Sequence, residues 1–449
     1  MTRLWRATRL TFRSMSVRNY RLYFAGQLIS TTGTWMQSIA QAWLVLQITG
    51  SGVALGITVA LQFTPVLLVG AWGGLVADRV DKRRLLVGTQ AAAGVLALVL
   101  GAVTALGVVQ LWMIFVLALG LGAVNAVDNP ARRAFVVEMV GTEHVSNAVS
   151  LSSAMFMAAR VIGPAIAGLV IAGLGVSWCF FANGVSYSAA VLAFVAMREN
   201  EFFAVEPVPK RKGQLREGLR YAWSTPALRL VLVLTAVIGT LAFNFQVVLP
   251  LLAKETFSGG AETLGVLYAF MSIGSVIGAL VSAHEAQATR RFVLGAALAF
   301  GAALVVAAFA PTLGLELLVL IPVGAAGIAF TAMSNGVLQT ECAPEMRGRV
   351  AALFTVAFLG STPIGGPIIG CVSQQLGPRA GLWVGGVATL AVTVAAIAGI
   401  RRHREVPRHV LASPTHALPA TGIGRAPHGV DHGLVPRRGT THETWGARA

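Results

Sequence analysis

The sequence predicts an all-α polytopic membrane protein: twelve transmembrane helices in two six-helix pseudo-symmetric halves. Three observations predict it. The chain of 449 residues is 55% hydrophobic and only 12% charged, with a mean hydropathy of +0.73; a soluble protein carries roughly twice that charged fraction. The apolar residues gather into repeated runs of about 18–25, each long enough to cross a ~30 Å hydrocarbon core as a helix. The charges lie between the runs and fall almost wholly on one side of them.

In chain order the predicted spans lie near 20–48, 53–77, 85–106, 110–128, 144–172 and 176–197, then 227–251, 262–283, 292–310, 314–334, 348–375 and 379–400. With the N-terminus placed in the cytoplasm, all but three of the 34 Lys and Arg fall on the cytoplasmic side. The exceptions are Lys254 and Arg379 on the outer side and Arg160 within span five. This is the pattern of the positive-inside rule, so the net charge of +16 reports orientation and does not imply a nucleic-acid partner. Both termini are expected in the cytoplasm. The basic start MTRLWRATRLTFRSMSVRNYRLY lacks a short apolar core with a small-residue cleavage site, so a secretory signal peptide is not expected.

Four regions follow from composition. Residues 1–198 form the first six-helix half and 227–400 the second. The segment 199–226, ENEFFAVEPVPKRKGQLREGLRYAWSTP, breaks the hydropathy with prolines and charges. In it Leu215, Leu219 and Trp223 recur every fourth residue, predicting a short amphipathic helix on the cytoplasmic face. The tail 401–449, rich in Pro, His, Gly and Arg without apolar periodicity, reads as disordered. The three cysteines, Cys179, Cys342 and Cys371, show neither metal spacing nor a disulfide framework. No metal, nucleotide or other cofactor motif occurs, and the absence of G-x-x-x-x-G-K-[ST] argues for secondary rather than ATP-driven transport. Nor is there a G-x-S-x-G, an H-E-x-x-H or a convergent acid or histidine cluster, so an enzyme is not expected. The halves match at an offset of just over 200 residues: Gly74 with Gly278, and Gly163-Pro164 in RVIGPAIAG with Gly366-Pro367 in IGGPIIG. Repeated halves of this kind place a substrate site near the midplane between them.

The stretch GGLVADRVDKRR at 73–84 carries six charges in its last seven positions. A topology anchor would need only the bases, yet Asp78 and Asp81 are there too. Gly70 and Gly74 form a pair that permits close helix approach. An acid at the helix end can bond exposed amides of another helix, with a neighbouring base to neutralise it. Gly74, Asp78, Arg79, Lys82 and Arg83 match the loop motif G-x-L-a-D-R-x-G-R-[KR], so the chain resembles the major facilitator superfamily. Asp81 stands where that family often has Gly. RVIGPAIAG at 160–168 resembles the Gly-Pro motif of span five in the family's antiporters. With FRSMSVRNYRLYFAGQLIS and DNPARRAFVVEMV, the chain resembles the enterobactin-exporter-like branch, the transmembrane secretion effectors. The resemblance implies the major facilitator fold, a bacterial cytoplasmic membrane, a working monomer, and a loop latch at Asp78–Arg79 that engages the second half in the outward-facing state. It also implies that Gly163, Pro164 and Gly168 make a kinked, tightly packed fifth helix that seals against leak.

Other residues are singled out by position. Gln27, Thr31, Thr34, Ser38 and Gln41 fall on one face of span one, with Trp35 at its edge. Span seven repeats this faintly with Thr235, Gly239, Ala242 and Gln246, and Asn244 lies nearby. Polar groups in hydrocarbon must face water or protein, so these stripes either line a cavity or bond helix to helix. Arg160 lies about 24 Å into span five, where an unpaired charge costs at least ~2.5–3.5 kcal/mol. It either meets substrate or is structural, bonding carbonyls near Gly163-Pro164. No acid is expected mid-membrane: Asp128 is read as closing span four before the loop Asn129-Pro130, and Glu316 as opening span ten. A base without buried acids favours neutral or anionic cargo over cations. The expected function is therefore efflux of small metabolites, siderophores or drugs, driven by protons. Asp128, with Asn125 one turn before it, is the candidate for protonation or else a fixed cap. Broad cationic drug export, lipid flipping, import and a non-transporting receptor are the alternatives. Small-molecule cargo, protons and lipid are the expected partners.

Overall fold

The computed structural model describes residues 12–203, 214–284 and 288–405; side chains at 70–79, 214–215, 344, 359 and 402–405 are outside that description. Within it the chain is built of helices. The first run gives α1 (Arg18–Thr49), α2 (Gly52–Arg79) and α3 (Lys82–Ala105), followed by α4 (Leu111–Leu174) and α5 (Val176–Val195). After the short α6 (Gln214–Ser224) come α7 (Pro226–Leu241) and α8 (Phe245–Leu251), then α9 (Ala261–His284), α10 (Arg290–Ala308) and α11 (Leu313–Glu341). The bundle ends with α12 (Arg347–Leu359), α13 (Thr362–Leu376) and α14 (Pro378–Glu405).

α4 holds spans four and five. It runs through Pro130 and turns only at Gly141, whose φ of 68° and ψ of 173° no helix interior adopts. Glycine bears that backbone without a Cβ penalty, and a Cβ there would also press on the Phe203 ring at 3.2 Å. Span four therefore does not stop at Asp128, and no loop begins at Asn129-Pro130. The chain tolerates Pro130 inside a helix because one lost amide bond can be borne where neighbouring helices pack.

Spans seven and eleven are each broken. α7 and α8 are separated at Ala242–Asn244 and continue into a π-helical turn, Leu252–Thr256, just after Pro250. α12 and α13 are separated at Gly360–Ser361. The two breaks face each other: a Cβ on Gly239 would meet the Ser361 hydroxyl at 2.7 Å, and one on Gly365 would fall against the Thr240 carbonyl and 3.1 Å from Asn244 Nδ2. Counting α4 as two spans and each broken pair as one, the described residues cross the membrane twelve times, as the hydropathy predicts.

The bundle has a basic face, where α3 begins, and a far face, where α1 ends and α2 begins. Lys82 pairs with Glu138 at 2.6 Å. Arg83 pairs with Glu199 and donates to the Phe194 and Val195 carbonyls at 2.6 and 2.7 Å, closing the end of α5. Asp81 accepts from the Arg84 amide at 2.8 Å and caps α3, a role that accounts for the second acid of the loop. Thus Lys82 and Arg83 are engaged within residues 1–203. Gly70, Gly74, Asp78 and Arg79 fall on α2 where only the backbone is described, and the tail beyond 405 lies outside the described residues.

Two crossings join the chain's halves toward the far face. α2 meets α13 where Gly52 and Gly56 face Gly370 and Gly366: a Cβ on Gly52 would lie 2.8 Å from the Gly370 carbonyl, and one on Gly366 2.9 Å from the Gly56 carbonyl. The last turns of α4 meet α9, where Cβ atoms on Gly168 and Gly265 would sit 3.3 Å from the Ala261 carbonyl and 3.1 Å from the Pro164 carbonyl. Small residues bring backbones this close because nothing stands between them. Polar clasps lie beside the crossings. Gln374 Oε1 accepts from Ser51 Oγ at 2.8 Å and from the Val53 amide at 3.1 Å. Lys254 Nζ donates 2.6 Å to the Leu46 carbonyl at the end of α1. Arg379 donates 2.5 Å to the Ala310 carbonyl.

Candidate functional site

Two arginines stand inside the bundle, and their surroundings differ. Arg160 lies on the second part of α4, about 29 Å of helix beyond Gly141 and about 21 Å before Leu174. Its guanidinium carbon sits 5.4 Å from the ring centroid of Trp35 on α1, and the Phe156 ring meets Trp35 edge-on at 5.7 Å. Gly163 makes this possible: a Cβ there would clash with Trp35 Cβ at 2.6 Å and the Thr32 carbonyl at 2.8 Å. Ser272 Oγ on α9 donates to the Arg160 carbonyl at 3.5 Å, tying the same turn to the second half. Arg160 Nε is buried without a hydrogen-bond partner, and among the described residues no carboxylate pairs with this guanidinium.

The second arginine is Arg132, one of the bases that the charge pattern assigns to the cytoplasmic side. It pairs with Asp128 one turn earlier on α4 and donates to Gln27 Oε1. Asp128 is 1% exposed; its Oδ1 also accepts from Thr89 Oγ1 at 2.7 Å and Gln90 Nε2 at 2.9 Å. Ser30 Oγ completes the chain by donating 3.2 Å to Gln90 Oε1. The acid is therefore held in an ion-paired, polar cage between α1, α3 and α4 rather than at a helix end. Its recorded donors do not include Asn125. The reading of Asp128 as an acid at a helix end fails here, whereas Glu316 does lie in the first turn of α11, where it is 0% exposed with neither carboxylate oxygen hydrogen-bonded.

The span-one stripe divides along its length. Gln27 serves Arg132. Thr34 donates to the Ser30 carbonyl at 2.9 Å and lies 3.2 Å from the Tyr187 hydroxyl on α5. Ser38 receives Gln246 Nε2 from α8 at 3.4 Å, so these two predicted residues meet across the halves. Thr31 and Gln41 are 8% and 6% exposed. Helix-to-helix bonding thus claims Gln27, Thr34 and Ser38, while Trp35 carries the face toward Arg160. Asn244 sits in the α7–α8 break, its Nδ2 donating 2.7 Å to the Thr240 carbonyl and its own carbonyl accepting from Val247 and Val248 amides. Of the span-five motif, Gly163 serves α1, Gly168 serves α9, and the Pro164 carbonyl borders Gly265.

The sequence reading missed three groups of residues. Thr89 and Gln90 were visible as a polar pair in an apolar run. Asn183, donating 2.6 Å to Gln37 Oε1, and Tyr187 were visible the same way on α5. The third is aromatic: Phe243, at the α7–α8 break, lies 4.9 Å from Phe300 and 5.1 Å from Phe358 by ring centroids, and Phe354 stacks near-parallel with Phe358 at 6.2 Å. Phe354 and Phe358 are one turn apart on α12, but only the fold brings Phe243 and Phe300 to them.

A bundle of twelve crossings, broken at spans seven and eleven and joined by glycine crossings, has well-defined relatives. Residues 10–417 match the family model for transmembrane secretion effectors. The chain belongs to that family, a branch of the major facilitator superfamily. It is 26% identical over 413 residues to an enterobactin exporter of Escherichia coli, covering 88% of this chain and 95% of that one. It is 28% identical over 265 residues to the staphyloferrin A transporter of Staphylococcus aureus, covering 58% and 66% of the two chains. It is 28% identical over 370 residues to the multidrug efflux pump Tap of Mycolicibacterium fortuitum, covering 79% and 88%. Among solved structures it superposes with a TM-score of 0.68 on a bacterial homologue of the lysosomal transporter Spinster, in an inward-facing and unoccupied conformation. That pair is 15% identical, over 85% of this chain and 96% of that one. A bacterial ferroportin homologue in an inward-facing state gives 0.64 at 16% identity, over 85% and 98%. These relatives are membrane transporters, not enzymes.

Proposed function

We propose that this chain is a secondary active exporter that moves small neutral or anionic metabolites, siderophores or drugs by alternating access, with protons as the counter-ion. Its place is the bacterial cytoplasmic membrane, the basic face and both termini toward the cytoplasm, and it works as a monomer. The observation that carries the reading is Arg160, half-buried midway along its span against Trp35, its Nε buried without a partner and no carboxylate paired with it among the described residues. A guanidinium held this way is stabilised by an incoming carboxylate, catecholate or other oxygen-rich group. It repels a lipophilic cation.

The far face is clasped by the two glycine crossings and by Gln374 and Lys254, which fits a state closed to the outside and receptive from the cytoplasm. Asp128 is the proton site in this scheme: the Asp128–Arg132 pair is neutral while closed, and an anionic cargo or a helix shift that draws Arg132 away leaves the carboxylate to take up a proton. Asp78–Arg79 latch the opposite, outward-facing state. Gly163, Pro164 and Gly168 keep α4 tight against α1 and α9 through the cycle.

A second reading, broad export of cationic drugs, is favoured by the Phe243–Phe300–Phe358 cluster, whose ring faces can hold cations. A ligand-induced thermal-stability screen on purified protein separates the two. Anionic, neutral and cationic amphipathic compounds are each tested on wild type and Arg160→Gln. The first reading expects anionic or neutral compounds to stabilise the wild type and to lose that effect in Arg160→Gln. Cationic compounds that stabilise both proteins equally overturn it.

A further inference from the structure

The helix α6 packs by one face only. Gly218 lies against Arg349 at the start of α12, where a Cβ would meet Arg349 Cβ at 2.9 Å. Glu217 pairs with Arg349 at 2.7 Å, Ala222 is fully buried, and the Tyr221 hydroxyl accepts from the Ala343 amide at 3.1 Å. The opposite face carries Arg216, Leu219, Arg220 and Trp223, at helical spacings of three and four. Leu219 and Trp223 are 47% and 54% exposed. Arg216 and Arg220 are also exposed and pair with no acid among the described residues.

Position fixes what this face meets. α6 ends at Ser224 and the membrane-crossing α7 begins at Pro226, so one residue separates Trp223's helix from the hydrocarbon. α6 must lie at the level of the headgroups on the basic side. A helix there with two cations flanking a leucine and a tryptophan has the composition of an interfacial helix: the apolar pair sinks toward the acyl boundary, and the guanidiniums rise to phosphates.

We propose that the Arg216–Leu219–Arg220–Trp223 face is a binding surface for anionic phospholipid headgroups. Because Glu217 and Gly218 fasten the other face to Arg349, the lipid surface also holds the first turn of α12, one arm of the broken span eleven. Lipid charge therefore bears on the segment that must shift when the far face opens. This depends on the chain's crossing of the membrane, not on its cargo or coupling ion.

The test uses the full chain in phosphatidylcholine nanodiscs with and without phosphatidylglycerol. An environment-sensitive fluorophore is attached at Leu219→Cys in a Cys371→Ala background; Cys179 and Cys342 are buried. A lipid-attached headgroup quencher and aqueous iodide then report which medium the face meets. The expected result is quenching by the lipid probe, strengthened by phosphatidylglycerol. Each arginine contributes about fivefold to association with an anionic surface. Arg216→Gln/Arg220→Gln is expected to abolish the phosphatidylglycerol dependence and Arg216→Lys/Arg220→Lys to keep it. Quenching by iodide alone, an unchanged lipid dependence in the Gln variant, or shielding from both probes by a protein partner would each overturn the proposal.

Discussion

Replacing Asp128 by Asn removes one charge and almost no volume. The residue is 1% exposed and takes bonds from Thr89, Gln90 and Arg132. Asparagine retains an oxygen for Thr89 or Gln90, so the neutral bonds largely survive. What is lost is the counter-charge of Arg132, whose side chain is 25% exposed. Removing one partner of a buried pair costs about 3–5 kcal/mol; because water still reaches part of the guanidinium, the lower end, about 3 kcal/mol, is expected. Arg132→Gln exposes Asp128 to the same loss in a drier site and is expected to cost at least as much. In Asp128→Asn/Arg132→Gln no charge is stranded, and the double variant should cost less than the two single losses together by about 2–3 kcal/mol. Equilibrium unfolding in mixed micelles, followed by far-ultraviolet circular dichroism, measures all four proteins. A coupling below about 0.5 kcal/mol would refute the cage as described and leave the two residues energetically independent.

Two further predictions test the helix crossings and the turn. Gly56→Leu places a side chain against the Gly366 carbonyl, so the far face should fail to close; vesicle transport is lost while a disulfide engineered between Ser51→Cys and Gln374→Cys, efficient in the parent, no longer forms. Gly141→Ala combines a positive φ with contact on the Phe203 ring and should destabilise by about 1–2 kcal/mol, read as a lower unfolding midpoint with transport retained.

Hydropathy and charge placement were enough to find every crossing of the bundle, because a span is a local property: about twenty apolar residues suffice. What they could not supply were the ends and partners. Asp128 read as a terminus since Asn129-Pro130 follows it, yet packing carried the helix to Gly141. Arg132 stood in the sequence only among the cytoplasmic-side bases; that it sits one turn from Asp128 was visible, but burial of the pair depends on α1 and α3 arriving beside it. The span-one stripe was legible as a face, while its division between Arg132, Tyr187, Gln246 and Arg160 was not. Phe243 lies more than a hundred residues from Phe354 and Phe358, which are one turn apart on α12, and no local periodicity joins it to them.

The two internal arginines show why burial alone does not mark a binding site. Both lie on α4 within the bundle, and each faces α1. At Arg132 the sequence supplies an acid four residues away and a glutamine opposite, so the charge is answered locally, although Arg132 Nε and Gln27 Nε2 stay buried without a partner. At Arg160 the answer is an indole face and a phenyl edge, which lower the cost of burying the cation by only about 1–2 kcal/mol and leave its hydrogen-bonding edge available. A half-buried guanidinium whose Nε has no partner, beside the junction of the two halves, is an unfavourable choice for mere packing, since a leucine would fill the space at lower cost. Its charge is accounted for if the missing oxygens arrive with the cargo. For this reason Arg160→Gln, rather than any change in the Asp128 cage, is the variant that separates transport specificity from stability.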